Sequence, residues 1–240
     1  MQEKRLKRRL KYGTKKQRRL KQKSGGVLFL SVLTFFVTYQ SLIPIHGAVQ
    51  LFSNSSRTWI LRKHIKKEFF WFFMLGCMAG VLIAIFLIGT VKSKTIPYLL
   101  ISALIFYSIF RPKKLPQMII PNWGFIFVGI VSGILGMVIG ATGPFLAPFF
   151  LRDDLSKEEI VATKSSMQTF VHFTKIPAFL YLGFSYKENI LLIAILCISA
   201  IVGTNVGVRI LRGIDEKLFF IIFKSILFIA ALRLIYKAIL

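Results

Sequence analysis

Residues 123–181 read WGFIFVGIVSGILGMVIGATGPFLAPFFLRDDLSKEEIVATKSSMQTFVHFTKIPAFLY, and the fold turns on how this stretch is interpreted. Its first part, residues 123–140, is an apolar run about long enough to cross a bilayer. The run then breaks at GATGPFLAPFFL, residues 140–151, where Gly140, Gly143, Pro144 and Pro148 end any continuous helix. Beyond the acidic patch RDDLSKEE comes a second apolar run that carries Lys164, Gln168, His172 and Lys175 among Phe and Met. Broken backbone and cationic side chains at membrane depth are both costly, and each persists only inside protein or beside a water-filled cavity. Together they read as a binding site and not as a lipid-facing surface.

Working outward, the composition supports a membrane setting. The chain has 240 residues, 55% of them apolar, with mean hydropathy +0.67, too apolar for an ordinary soluble domain. The formal charge of +24 suggests a nucleic-acid partner until it is located: twelve of the 33 basic residues fall within residues 4–23. The other 21 sit mostly in short loops, as the positive-inside rule expects of a multi-pass protein. Cys77 and Cys197 each lie in the middle of an apolar run, which argues for small packing residues and against a disulfide or a metal site.

Residues 1–23 form a basic, low-complexity tail expected on the cytoplasmic side as a solvated segment with no dedicated partner; acidic lipid head groups, which attract such a cluster, are the alternative, and nucleic acid is not the expected partner. The block does not fit a signal peptide, because its basic region is too long and no small-residue cleavage site follows. Gly25 and Gly26 open the apolar run at residues 25–45, which has Pro44 near its end and is too short to span twice, so a half-length or re-entrant helix is expected there. Residues 69–91 should span, with Gly76, Gly80 and Ala84 at four-residue spacing allowing close helix contact. Residues 95–110 should span again, up to the polar, proline-rich linker at 111–117 that divides the chain. In the second half, residues 188–211, with Gly203 and Gly207, and residues 217–240 form the last two spans.

The halves align on Gln50 and Gln168. His46, Gln50, Asn54 and Arg57 then fall on Lys164, Gln168, His172 and Lys175, and steps of four, four and three keep each set on one helical stripe. The same register brings Gly25 and Gly26 onto Gly143 and Pro144, so each half has a glycine break followed by a polar stripe. The loop after the first stripe carries Arg62, Lys63, Lys66 and Lys67, whereas LGFSYKEN after the second has one Lys and one Glu. By charge the first loop faces inward and the second outward, which makes the halves antiparallel. The expected architecture is an all-α membrane protein of two inverted repeats of transmembrane helices, residues 24–117 and 118–240, with broken or re-entrant half-helices near the midplane.

Broken helices offer free N–H groups and the positive end of a dipole, and the stripes add cations, while no Asp or Glu lies within the apolar runs. That imbalance favours an anion. Arg57 and Lys175 also suit snorkelling to an interface, and the two glutamines suit hydrogen bonding between helices. Carboxylate pairs, nucleophile triads, phosphate loops and metal spacings are absent from the membrane runs, so transport is expected and not catalysis, with no cofactor.

The segment GILGMVIGATGPFLAPFFL with ATKSSMQTFVHFTK, and HGAVQLFSNSSR in the first half, resembles the sulfite exporter TauE/SafE family of membrane permeases over residues 25–240. The resemblance implies two inverted repeats and movement of small sulfur-containing or organic anions across the inner membrane. It puts the substrate site near Gly25, Gly26, His46, Gln50, Asn54, Gly143, Pro144, Lys164, Gln168 and His172. The family pattern carries a membrane helix before its first glycine break, where this chain has the basic block. An alternative expectation is therefore a truncated, non-transporting membrane protein or scaffold, or a chain that closes the gap as a homo-oligomer.

Overall fold

The computed structural model describes residues 25–90, 95–110, 118–150, 154–211 and 216–239, and among these every regular element is a helix. The basic tail, the linker at 111–117 and part of the acidic patch lie outside the described residues, as do the surroundings of Gly203 and Gly207. The first half supplies α1 (Gly25–Leu33), α2 (Tyr39–Ile60), α3 (Lys67–Thr90) and α4 (Thr95–Phe110). The second supplies α5 (Phe125–Val138), the single turn α6 (Gly143–Leu146), α7 (Lys157–Tyr181), α8 (Ile190–Leu211) and α9 (Glu216–Ile239). Among the described residues, Lys67–Gly89 is the helix both long and apolar enough to cross a bilayer by itself. At 16 residues, α4 is about 24 Å long and falls short of the ~30 Å hydrocarbon core.

α1, described from Gly25, breaks after Leu33. Arg233 reaches over from α9 to the break, donating to the Thr34 carbonyl at 3.1 Å and stacking its guanidinium over the Phe35 ring. A guanidinium there meets the carbonyl-rich end of α1. Pro44, near the end of the apolar run at residues 25–45, lies inside α2, which runs on to Ile60. In the second half the break is sharper. Gly140 adopts φ +92°, a conformation that costs an L side chain strain, and its N–H reaches back to the Leu135 carbonyl. Pro144 then sits in the first turn of α6, where its missing N–H costs nothing, and a 3-10 turn at Ala147–Phe150 follows.

The tightest packing is between α3 and α5. Lipid tails are as apolar as Leu, so membrane helices associate through close contact and not through burial of oily surface. Gly76 and Gly80 of α3 face the Ile126 and Ile130 carbonyls, and Gly129 and Gly133 of α5 face the Phe73 and Cys77 carbonyls. The two backbones touch because neither helix has a Cβ at the seam. Ala84, next in the α3 series, is fully buried.

Each of the two cores mixes the halves. Apolar side chains of α1, α2 and α4 pack with α9 and the start of α8, and those of α3 pack with α5, α6 and α7. Ser102 of α4 ties to the Ala231 carbonyl of α9 at 3.2 Å.

The start of α7 is pinned from outside. Ser156 and Glu159 form a capping box, accepting each other's backbone N–H, while Lys66 pairs with Glu159 at 2.7 Å. The Lys66 ammonium, aided by the Ser156 bonds, holds the Glu159 carboxyl down to about 2. Its folded value lies below the unfolded one, so the stabilisation is present above ~pH 4.5 and fades as pH falls toward about 2. Glu159→Gln is therefore expected to flatten the fall in melting temperature between about pH 5 and about pH 3. Identical acid sensitivity in the two proteins would contradict this. At its other end α7 stops on Gly183, φ +87°, with the Phe184 N–H on the Phe179 carbonyl at 2.8 Å.

Candidate functional site

Helices α2 and α7 cross in opposite senses, for Gly47 meets Lys175 while Thr58 meets Thr169. At one end of the crossing three basic side chains converge. His46 and His172 stand edge to face with ring centroids 5.8 Å apart, and Lys175 donates to the Gly140 carbonyl at 2.8 Å. All three are buried, with exposures of 1%, 2% and 0%. The His46 Nε2 lies 3.0 Å from the Gly26 carbonyl, which accepts only, so Nε2 carries the proton and Nδ1 is left as the basic nitrogen. Neither His46 Nδ1 nor His172 Nδ1 has a hydrogen-bond partner. Phe29 of α1 stacks on the other face of His46.

The backbone breaks supply what these side chains need. Gly140 turns its carbonyl away from the end of α5, and the ammonium of Lys175 answers the negative end of that helix. Close approach is possible because Gly47 and Gly136 line the lysine stem: a Cβ would lie 3.0 Å from Lys175 Cδ at Gly47, and 3.4 Å from Cε at Gly136.

Each half also sets a glycine against a glutamine. A Cβ on Gly26 would lie 3.5 Å from Gln50 Nε2, and one on Gly143 3.4 Å from Gln168 Nε2. Between α2, α3 and α7 lies a hollow of about 500 Å3 lined by Leu51, Phe52, Ser55, Thr169, Phe170 and Phe173. These six of its ten lining residues fall into three pairs separated by 118 positions, the same offset that relates Gln50 to Gln168, whereas Thr58, Ile65, Phe70 and Ser166 do not pair in this way.

The residues expected from sequence are not all brought together. His46 and His172 meet, with Gly26 and Gly140 behind them. Asn54 is buried but bonds within its own helix, to the Gln50 carbonyl at 2.9 Å. Gly25 opens α1, and Pro144 is buried in α6. Lys164 is half-buried and eight residues before His172, roughly 12 Å along α7. Arg57 follows the snorkelling expectation: it is exposed and bonds back to Ser53.

Lys175 does not follow that expectation. It is the most deeply buried cation among the described residues, and its place at the helix break could not be read from the stripe alone, because snorkelling and burial share one spacing. Arg233 was also passed over; its signal was a lone guanidinium in an apolar run.

The sequence model of the family described as sulfite exporter TauE/SafE matches residues 24–234. No curated protein and no solved structure gives a significant match.

Proposed function

Because this chain belongs to the sulfite exporter TauE/SafE family, we propose that it is a permease that moves small anions, sulfite, sulfonates or other sulfur-containing or organic anions, across the inner membrane. The observation that carries this is an uncompensated basic cluster, His46, His172 and Lys175, beside the hollow where the two halves meet. No Asp or Glu occupies the middle of a described helix, so the local field favours a negative solute.

In this reading residues 24–117 and 118–240 are inverted repeats. Support comes from contacts that keep their pattern when the halves are exchanged: α2 packs on α7, α4 on α9, and the α3–α7 contact is matched by α2–α8. In this reading the solute binds near Gln50, Asn54, Lys164 and Gln168, next to Gly25, Gly26, Gly143 and Pro144, while the hollow between α2, α3 and α7 beside them has an almost wholly apolar lining. Residues 1–23 stay in the cytoplasm beside acidic lipid.

The test is uptake of sulfite, methanesulfonate and small carboxylates by liposomes containing the folded protein. Flux no higher than in empty vesicles sinks the reading and favours a non-transporting scaffold.

A further inference from the structure

The basic cluster and the hollow are neighbours but distinct. Leu51 of the hollow lies one turn beyond His46 and Gly47 on α2, and Phe173 follows His172 on α7, yet none of the three basic residues lines the hollow. The cluster is packed solid. Gly47 and Gly136 approach the Lys175 stem, Phe29 covers His46, and all three basic side chains are closed to the outside. A sulfonate or carboxylate cannot enter without displacing a helix. A proton can.

Several features suit a proton. Lys175 uses one of its three donors on the Gly140 carbonyl. His46 is locked in the tautomer that leaves Nδ1 basic, and His172 Nδ1 is also without a partner. The titratable groups that face Lys175 are His46 from α2, His172 from its own helix and Cys77 from α3. α5 presents only Gly136 and the Gly140 carbonyl, and α1 meets His46 with the Gly26 carbonyl and Phe29. No carboxylate is among these groups, so each charge gained by the cluster lacks a counter-ion until an anion arrives next to it. Charge and anion then favour one another reciprocally.

Resting on the permease reading, we propose that His46, His172 and Lys175 form the proton site of an anion–proton symporter, with the anion bound next to the cluster between α2 and α7. The cluster takes up a proton from the side where the anion enters and releases it on the side where the anion leaves. No bond other than that to the proton is made or broken.

The test uses the full chain in liposomes that enclose a pH-sensitive dye. Methanesulfonate is the probe, because its acid is strong and it carries no proton of its own at neutral pH. With wild-type protein, entry of methanesulfonate is expected to acidify the lumen in a fixed ratio to the anion. Lys175→Gln keeps a donor for the Gly140 carbonyl but no titratable group, and is expected to lower pH-driven accumulation at least ~10-fold, within the coupling range of roughly 5–150-fold. Lys175→His restores a titratable group with an intrinsic value near 6.5 in place of about 10.4, and should restore accumulation with its pH profile displaced downward. A residue needed only for packing would not make the profile follow the substituted group.

Absence of methanesulfonate, sulfite and carboxylate flux in the folded wild type removes the permease reading itself. Flux without lumenal acidification leaves that reading standing and overturns the proton site. Lys175→Gln with undiminished pH-driven accumulation, or Lys175→His with a wild-type pH profile, overturns it as well.

Discussion

Gly129→Leu is expected to abolish the folded protein, whereas Gly89→Leu, in the same pair of packed helices, is expected to leave it intact. At Gly129 an added Cβ runs into the Phe73 carbonyl and comes within 2.8 Å of the Cys77 N–H nitrogen. Both obstructing atoms are backbone, so relief requires α3 and α5 to part along their whole seam, including the reciprocal contacts at Gly76, Gly80 and Gly133. Overpacking against yielding side chains costs about 1–3 kcal/mol, and backbone yields less. Against a total stability of roughly 5–15 kcal/mol, and with the close contact of the seam lost as well, most molecules should fail to fold. At Gly89 a Cβ meets nothing within 4 Å. The yield and gel-filtration profile of the two variants in detergent decide the matter. A monodisperse Gly129→Leu protein would show that the seam does not hold these helices.

Lys175→Met is expected to separate stability from transport. The substitution leaves the Gly140 carbonyl without its donor, which costs about 1–3 kcal/mol for a buried acceptor. It also removes an ammonium that is completely closed to solvent and has no carboxylate beside it, and burying such an ion costs several kcal/mol even after relaxation. The second effect is the larger, and Met fills nearly the same volume, so the melting temperature should hold or rise. Anion accumulation should nevertheless fall at least tenfold, because the cluster then has no ammonium to answer the solute. Thermal unfolding in detergent and liposome uptake measure the two quantities. A drop of more than ~6 °C, roughly 2 kcal/mol for a chain of this size, would mean that Lys175 stabilises the fold and is not there at its expense.

The same two regions mark how far the amino-acid order reaches. Length and apolar runs predict the helices, and the glycine and proline positions predict where they break, because both follow from local chemistry: φ at Gly140, the missing N–H of Pro144, the capping box at Ser156. Gly76 and Gly80 were legible as a contact surface, and their match at Gly129 and Gly133 carried the same four-residue signal.

Contacts between the halves were another matter. The repeat alignment pairs His46 with Lys164 and Asn54 with His172, yet in space His46 meets His172 and Lys175, and Asn54 turns to its own helix. Alignment relates equivalent positions, whereas antiparallel crossing brings together positions that run in opposite order, and Gly47 of α2 lets the Lys175 stem of α7 come close at the crossing. Thus helices, breaks and an excess of buried basic groups follow from residue order. Which cations are sealed inside, and which reach solvent as Arg57 does, depended on the crossing of helices far apart in the chain, since a one-helix stripe carries no information about what packs against it.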